Sequence, residues 1–160
     1  MIHDGQVLLG ECTDEESNGC PRFTFLGTRF ELASSLLECC VQAVDKQAGL
    51  AVRPVKLLYV VERFHMEGKL RRHDLAHYFL CEPVEKLEGN LLDALHPEEG
   101  SPYKPVLMGA KEIINADLRP SQLRDVLAGD ALNNFQVSAK HVVINCLPDD
   151  VTAKSGAFRF

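Results

Sequence analysis

The stretch Ser34–Gly49, SSLLECCVQAVDKQAG, constrains this chain more than any other. Leu36, Cys40, Val44 and Ala48 recur at helical spacing, and Leu37 and Val41 widen the apolar stripe. Ser35 followed by Glu38 forms a capping-box pattern at the start. Gly49 suits the residue just past the end, and Lys46 complements the dipole of the last turn. A helix with one apolar stripe must bury it against another layer. The segments around it read as strands, so the expected class is α/β, a mixed sheet covered by helices.

Gln6–Cys12, QVLLGEC, is a short apolar strand opening after the turn signal Asp4-Gly5. Met1–His3 reads as the tail of another strand, so a first strand is expected to be truncated. Thr13–Pro21 is a polar loop, and Phe23–Gly27 is a short apolar segment. Val55–Phe64 and Leu75–Val84 read as strands joined by the basic connection HMEGKLRR. Residues 85–105, punctuated by glycine and proline, form a long polar insertion with one helical turn near Leu91–Leu95. VLMG is a short strand, DLRPSQLRDVLAG an amphipathic helix with Pro120 near its start and Gly129 at its end, and His141–Leu147 a late strand. This organisation places one domain in residues 1–147 and a loose tail in 148–160.

The 160 residues suffice to bury a core without disulfide or metal support. The net charge of −6 argues against non-specific nucleic-acid or anionic-membrane binding, while leaving room for a small anion in a local basic pocket. No apolar run spans a membrane, and the start lacks the basic and apolar regions of a signal peptide, so a reducing cytoplasm is expected. The six cysteines contain no C-x-x-C pair and read as free thiols.

The stretch FTFLGTRFELASSLLECCVQAVDKQAGLAV resembles the Nudix box, G-x5-E-x7-R-E-U-x-E-E-x-G-U with U a bulky aliphatic residue, the loop–helix–loop of Nudix hydrolases. Ala48-Gly49-Leu50 fixes the register at one end and Leu26-Gly27 at the other. HDGQVLLG, LLYVVERF, RRHDLAHYFLCE and ADLRPSQLRDVL extend the resemblance over about Met1–Asn134. The resemblance implies the family's α/β/α sandwich, a mixed β-sheet between helices, and an ancestry in Mg²⁺-dependent hydrolysis of nucleoside diphosphates linked to another group.

The departures from the pattern are chemical. The family's first Gly falls on Thr28, its first Glu on Ser34, its Arg on Gln42, the next Glu on Ala43, and its paired Glu residues on Lys46 and Gln47. Only Val44, Gly49 and Leu50, which serve structure, agree. Carboxylates at i, i+3 and i+4 converge on a divalent ion from one helix face. Here that face is expected to offer Ala43, Lys46 and Gln47. A lysine replaces attraction by repulsion on the order of 4 kcal/mol for a unit charge pair at 4 Å and a surface-like dielectric. No catalytic residue and no cofactor are therefore expected.

Three functions compete. The first is a degenerate Nudix-fold protein that binds a nucleotide-like or phosphorylated small molecule, with Arg29, Glu31, Arg63, Arg71, Arg72 and His77 as candidate contacts. The second is an active hydrolase whose Mg²⁺ or Mn²⁺ site is rebuilt from Glu31, Glu38, Glu62 or Glu82. The third is a structural module, a possible homodimer paired through a sheet edge or helix face.

Overall fold

The computed structural model describes residues 2–3, 5–12, 20–30, 33–85 and 90–147. The expected tail, 148–160, most of the loop 13–21 and the candidate Glu31 lie outside the described residues.

The mixed α/β architecture expected from the sequence is present, but the strands divide between two sheets instead of one. Strand β1 (Ile2–His3) forms a hairpin with β2 (Gln6–Cys12), pairing Ile2 with Val7. β2 also pairs antiparallel with β3 (Arg22–Thr24), and along its other edge with β6 (Lys104–Met108). β3 pairs in parallel with β7 (Leu118–Arg119). In the second sheet β4 (Val52–Glu67) lies between antiparallel β5 (Leu70–Pro83) and parallel β8 (Lys140–Asn145).

Strand β2 separates two cores. Val7 and Leu9 enter one cluster with Tyr59, Val61, Leu127, Phe135 and Ile144, and Leu8 enters the other with Val44, Ala48, Val52 and Leu95. A strand buried on both faces explains its unbroken apolar run. Helix α1 (Leu36–Ala48) closes the second core, while α2 (Ala110–Ile113) and α3 (Arg124–Leu132) close the first.

Helix α1 matches its sequence signals. The Ser35 N–H donates to Glu38 Oε2 at 2.7 Å, and the Glu38 N–H donates to Ser35 Oγ at 3.2 Å. That pairing holds the Glu38 carboxyl below its ordinary range, the Ser35 backbone N–H being the larger cause. At the other end Gly49 takes φ 64°, and its N–H donates to Asp45 O at 2.6 Å. The insertion expected to be polar supplies the remaining caps. His96 N–H donates to Ala48 O at 2.9 Å, and Glu98 N–H donates to Lys46 O at 3.0 Å. Leu91 and Leu95 anchor this segment in the second core. An added Cβ at Gly49 would stand 2.1 Å from His96 O, so main chain meets main chain there.

Three elements differ from the sequence reading. The strands β4 and β5 run on to a two-residue turn at Gly68-Lys69, with Gly68 at φ 59°. Cross-strand ion pairs Arg63–Asp74 and Arg72–Glu67 hold this extension, so the basic stretch is ladder and not loop. The late helix starts at Arg124 rather than near Pro120, because Leu118 and Arg119 pair with β3 and Ser121–Leu123 form a 3-10 turn. It also passes through Gly129, and the chain reverses only at Asn134 and Phe135, at φ 48° and 56°.

One buried polar cluster joins α3 to the second sheet. Asp130, 4% exposed, accepts from Tyr59 Oη at 2.8 Å and from Lys140 Nζ at 2.5 Å. Burial, and then the bond to Asp130, push the Tyr59 phenol above its ordinary range. Lys140 is 40% exposed and can relax into water, whereas fully buried Tyr59 cannot. Asp130→Ala is therefore expected to cost about 2–3 kcal/mol, through the stranded hydroxyl and lost charge pairing, and Tyr59→Phe only about 1 kcal/mol. Urea denaturation of the two variants checks this ranking.

Candidate functional site

A cleft of about 1190 Å³ opens where β5, the edge strand of the second sheet, faces the chain that follows β3. Phe25–Phe30 form one wall, the opening turns of α1 a second, and Arg119–Gln122 a third. Alternation along β4 and β5 sets the fourth. Arg63 stands opposite Asp74, His65 opposite Arg72, and Tyr59 opposite Tyr78, so these share a sheet face. Phe25 packs edge-on against Tyr78 with centroids 4.7 Å apart, which gives the cleft an aromatic floor.

The charge of this cleft opposes that of the chain. Its lining carries Arg29, Arg63, Arg72 and Arg119 against Glu67 and Asp74, and Asp117 beside it pairs with Arg119, which leaves the charge of Arg29 unbalanced among the described residues. Asp74 accepts from Arg63 Nη2 at 2.6 Å and sits 2.8 Å from His65 Nε2. The Arg63 bond holds its carboxyl below the usual carboxylate range, with His65 assisting. A lowered folded value means that this support is present above the unfolded carboxylate's pKa and fades as pH falls through the folded one. Arg72 Nε donates to Glu67 at 2.6 Å, and Arg119 pairs with Asp117 at 2.9 Å. Arg29 is exposed and has no ion pair among the described residues.

Of the ligand contacts expected from the sequence, Arg29, Arg63, Arg72 and His77 line the cleft. Arg71 stands opposite Met66, near the hairpin turn, and lies outside the lining. The sequence reading missed Asp74, whose signal was the cross-strand partnership with Arg63 that only the hairpin register reveals, and placed His65 with His73 and His77 instead of with Asp74. It also missed Arg119.

Ser34, Gln42, Ala43, Lys46 and Gln47 are all absent from the cleft lining, to which α1 contributes Leu36, Cys39, Cys40 and Val44. Ala43 is 3% exposed in the helix interface, and Gln42 and Lys46 face outward. Gln47 reaches back to the loop. Its Oε1 accepts from Gly27 N–H at 2.8 Å, and its Nε2 donates to Gly27 O at 2.8 Å. One side-chain amide thus satisfies both backbone groups of a residue that lines the cleft.

The alternative carboxylate ligands are dispersed. Glu38 caps its helix, and Glu82 pairs with Arg53 at 2.9 Å. Glu62 lies 3.2 Å from His73 Nε2 and 2.9 Å from His141 Nε2. Among the described residues no group of three or more His, Cys, Asp or Glu side chains has the arrangement of a metal site. His65, His73 and His77 do not converge: His65 joins Asp74, and His73 stacks on Phe64 with centroids 4.4 Å apart.

Two thiols meet at the wall of the cleft, Cys40 and Cys81, with sulfurs 3.6 Å apart. Their shared bond lowers Cys81 to about 7 and, with burial, pushes Cys40 above the thiol range, so the first proton leaves easily and the second does not.

Comparison with solved structures shows which fold this is. A Nudix hydrolase from Nitrosomonas europaea superposes with a TM-score of 0.66 at 17% identity, over 90% of this chain and 74% of that one. The mMutator MutT protein from Bacillus halodurans gives 0.61 at 13% identity, over 92% and 86%. The E. coli ORF135 protein gives 0.56 at 16%, over 84% and 86%. The chain has the Nudix hydrolase fold. No family profile matches the sequence, and no curated protein matches it either. No helix among the described residues is long and apolar enough to cross a membrane.

The Gln47 clamp yields a pH-dependent prediction. Gln47→Glu keeps an acceptor for Gly27 N–H but sets a carboxylate against Gly27 O, so about 1–2 kcal/mol of stability is expected to be lost at pH 7. Protonation restores one donor and one acceptor. The variant's carboxyl pKa is therefore raised in the folded state, and its deficit should narrow as pH falls toward 4. Thermal melts of wild type and variant at both pH values test this.

Proposed function

We infer that this Nudix-fold chain binds an anionic, nucleotide-like or phosphorylated small molecule in the cleft and does not carry out the family's metal-dependent pyrophosphate hydrolysis. The observation that carries the reading is the charge reversal: a cleft with surplus arginine on a chain of net charge −6. Such focusing concentrates anions at a site that the overall charge would repel. Arg29 is the cation best able to take a phosphate, since Arg63, Arg72 and Arg119 already hold carboxylates. Phe25 and Tyr78, packed edge to face, add aromatic surface to the same cleft.

The loss of hydrolysis is supported by what now occupies the box positions. Gln47 is committed to a backbone, Lys46 faces outward from the cleft, and Ala43 is buried in a packing interface. Water attack on a pyrophosphate draws on divalent cations held by hard oxygen ligands. Glu38, Glu62 and Glu82 each have another partner and sit apart.

The test is a panel of nucleotide sugars, dinucleoside polyphosphates and NADH with Mg²⁺ and with Mn²⁺, read for both turnover and thermal shift. A rise in Tm without metal and without turnover is expected for at least one compound. Arg29→Ala should weaken that compound about tenfold, the worth of one charge-assisted hydrogen bond. Turnover at rates ordinary for a Nudix hydrolase would establish instead an active enzyme with a rebuilt metal site.

A further inference from the structure

The Cys40–Cys81 contact lies outside the ligand-binding role and outside the polar networks. Cys40 sits in the second turn of α1, and Cys81 near the end of β5. They are 41 positions apart in sequence, and their sulfurs are 3.6 Å apart. Both belong to the cleft wall, Cys40 half-buried and Cys81 buried at 3% exposure, so a small solute meets the pair from the Cys40 side. Among the described residues the other thiols make no such contact: Cys39, next to Cys40 in sequence, is buried as Cys81 is, Cys20 and Cys146 are exposed, and Cys12 is half-buried. The Cys81 sulfur is further held by a contact to Phe79 O at 3.8 Å. A disulfide requires about 2.05 Å between sulfurs, so closure asks for roughly 1.5 Å, shared between two side chains.

We propose that Cys40 and Cys81 form a redox modification site, a dithiol that hydrogen peroxide entering the cleft converts to an intramolecular disulfide. Either sulfur can hold the proton the pair shares; with Cys81 as the attacking thiolate, Cys40 is the resolving thiol. The Cys81 sulfur bonds to one peroxide oxygen, the O–O bond breaks, and the departing hydroxide takes up a proton as water. The sulfenic acid left on Cys81 is then attacked by the Cys40 thiolate. The S–S bond forms, the S–O bond breaks, and the second hydroxide leaves and is protonated. Two electrons pass from the two sulfurs to the peroxide, and both thiol protons end in the two waters produced. The product ties α1 to β5 across one wall of the cleft. This site stands whether or not the cleft binds a nucleotide.

The experiment treats the native, fully reduced chain with hydrogen peroxide at about one to ten equivalents, quenches it, and analyses it without reduction by intact mass and peptide mapping. The expected result is a mass loss of about 2 Da, which is two hydrogens, and a peptide pair joined through Cys40 and Cys81. Exposed Cys20 and Cys146 should remain free thiols at the same dose. Cys40→Ser and Cys81→Ser should each abolish the linkage, and Cys39→Ser should leave it intact. Cys40 is only half-buried, so Cys40→Ser carries the test if Cys81→Ser fails to fold. A bridge through Cys39, a bridge between chains, sulfinic acid on Cys40 or Cys81 without a bridge, or oxidation of Cys20 and Cys146 while the pair stays reduced would overturn the proposal.

Discussion

A side-chain amide laid against a peptide unit is the contact on which the cleft depends. Gln47 offers one donor and one acceptor at the spacing of a neighbouring strand, and Gly27 takes both. The loop Phe25–Phe30 is thereby fixed to the last turn of α1, and Arg29 and the ring of Phe25 are held in place with it. A carboxylate at the same position has two acceptors and no donor. It can serve a cation or half of this contact, but not both partners of Gly27. The position has one chemistry available at a time, and here it is spent on architecture.

The same economy runs through the electrostatics. The cleft carboxylates Asp74 and Glu67 neutralise the cross-strand arginines of the extended hairpin, which leaves the field at the mouth to Arg29. Aromatic surface and positive potential then adjoin one another at the edge of β5. Deep in the first core, the sole buried carboxylate among the described residues, Asp130, is matched by a hydroxyl and an ammonium, so its charge is compensated where it lies.

Much of this was legible in the residues. Helix α1 could be read to within a residue because its stripe, capping box and terminal glycine all agree. The fold followed from the loop–helix–loop resemblance, although the division into two sheets did not, since strand partners far apart in sequence leave no local mark. The hairpin was read too short because its charged residues resemble a solvated loop until their register pairs them. The cleft arginines were found by composition alone, which cannot separate Arg71 from Arg72. The box positions were aligned by number and assigned a common face, but a helix packed through Ala43 and pinned through Gln47 presents Leu36, Cys39 and Cys40 to the cleft instead. Which side of a helix looks inward is decided by its partners, and those are not written in the helix.

The seam between Gly49 and His96 couples regions that look independent along the chain. Backbone touches backbone there with no side chain between, and the carbonyls at the end of α1 borrow their donors from residues 96 and 98. Helix and insertion must therefore lose protection together, as a single opening unit. Gln47 stands two residues from Gly49, so a cut in the insertion would be felt at the ligand loop, through the fraying of a helix end and not through any direct touch.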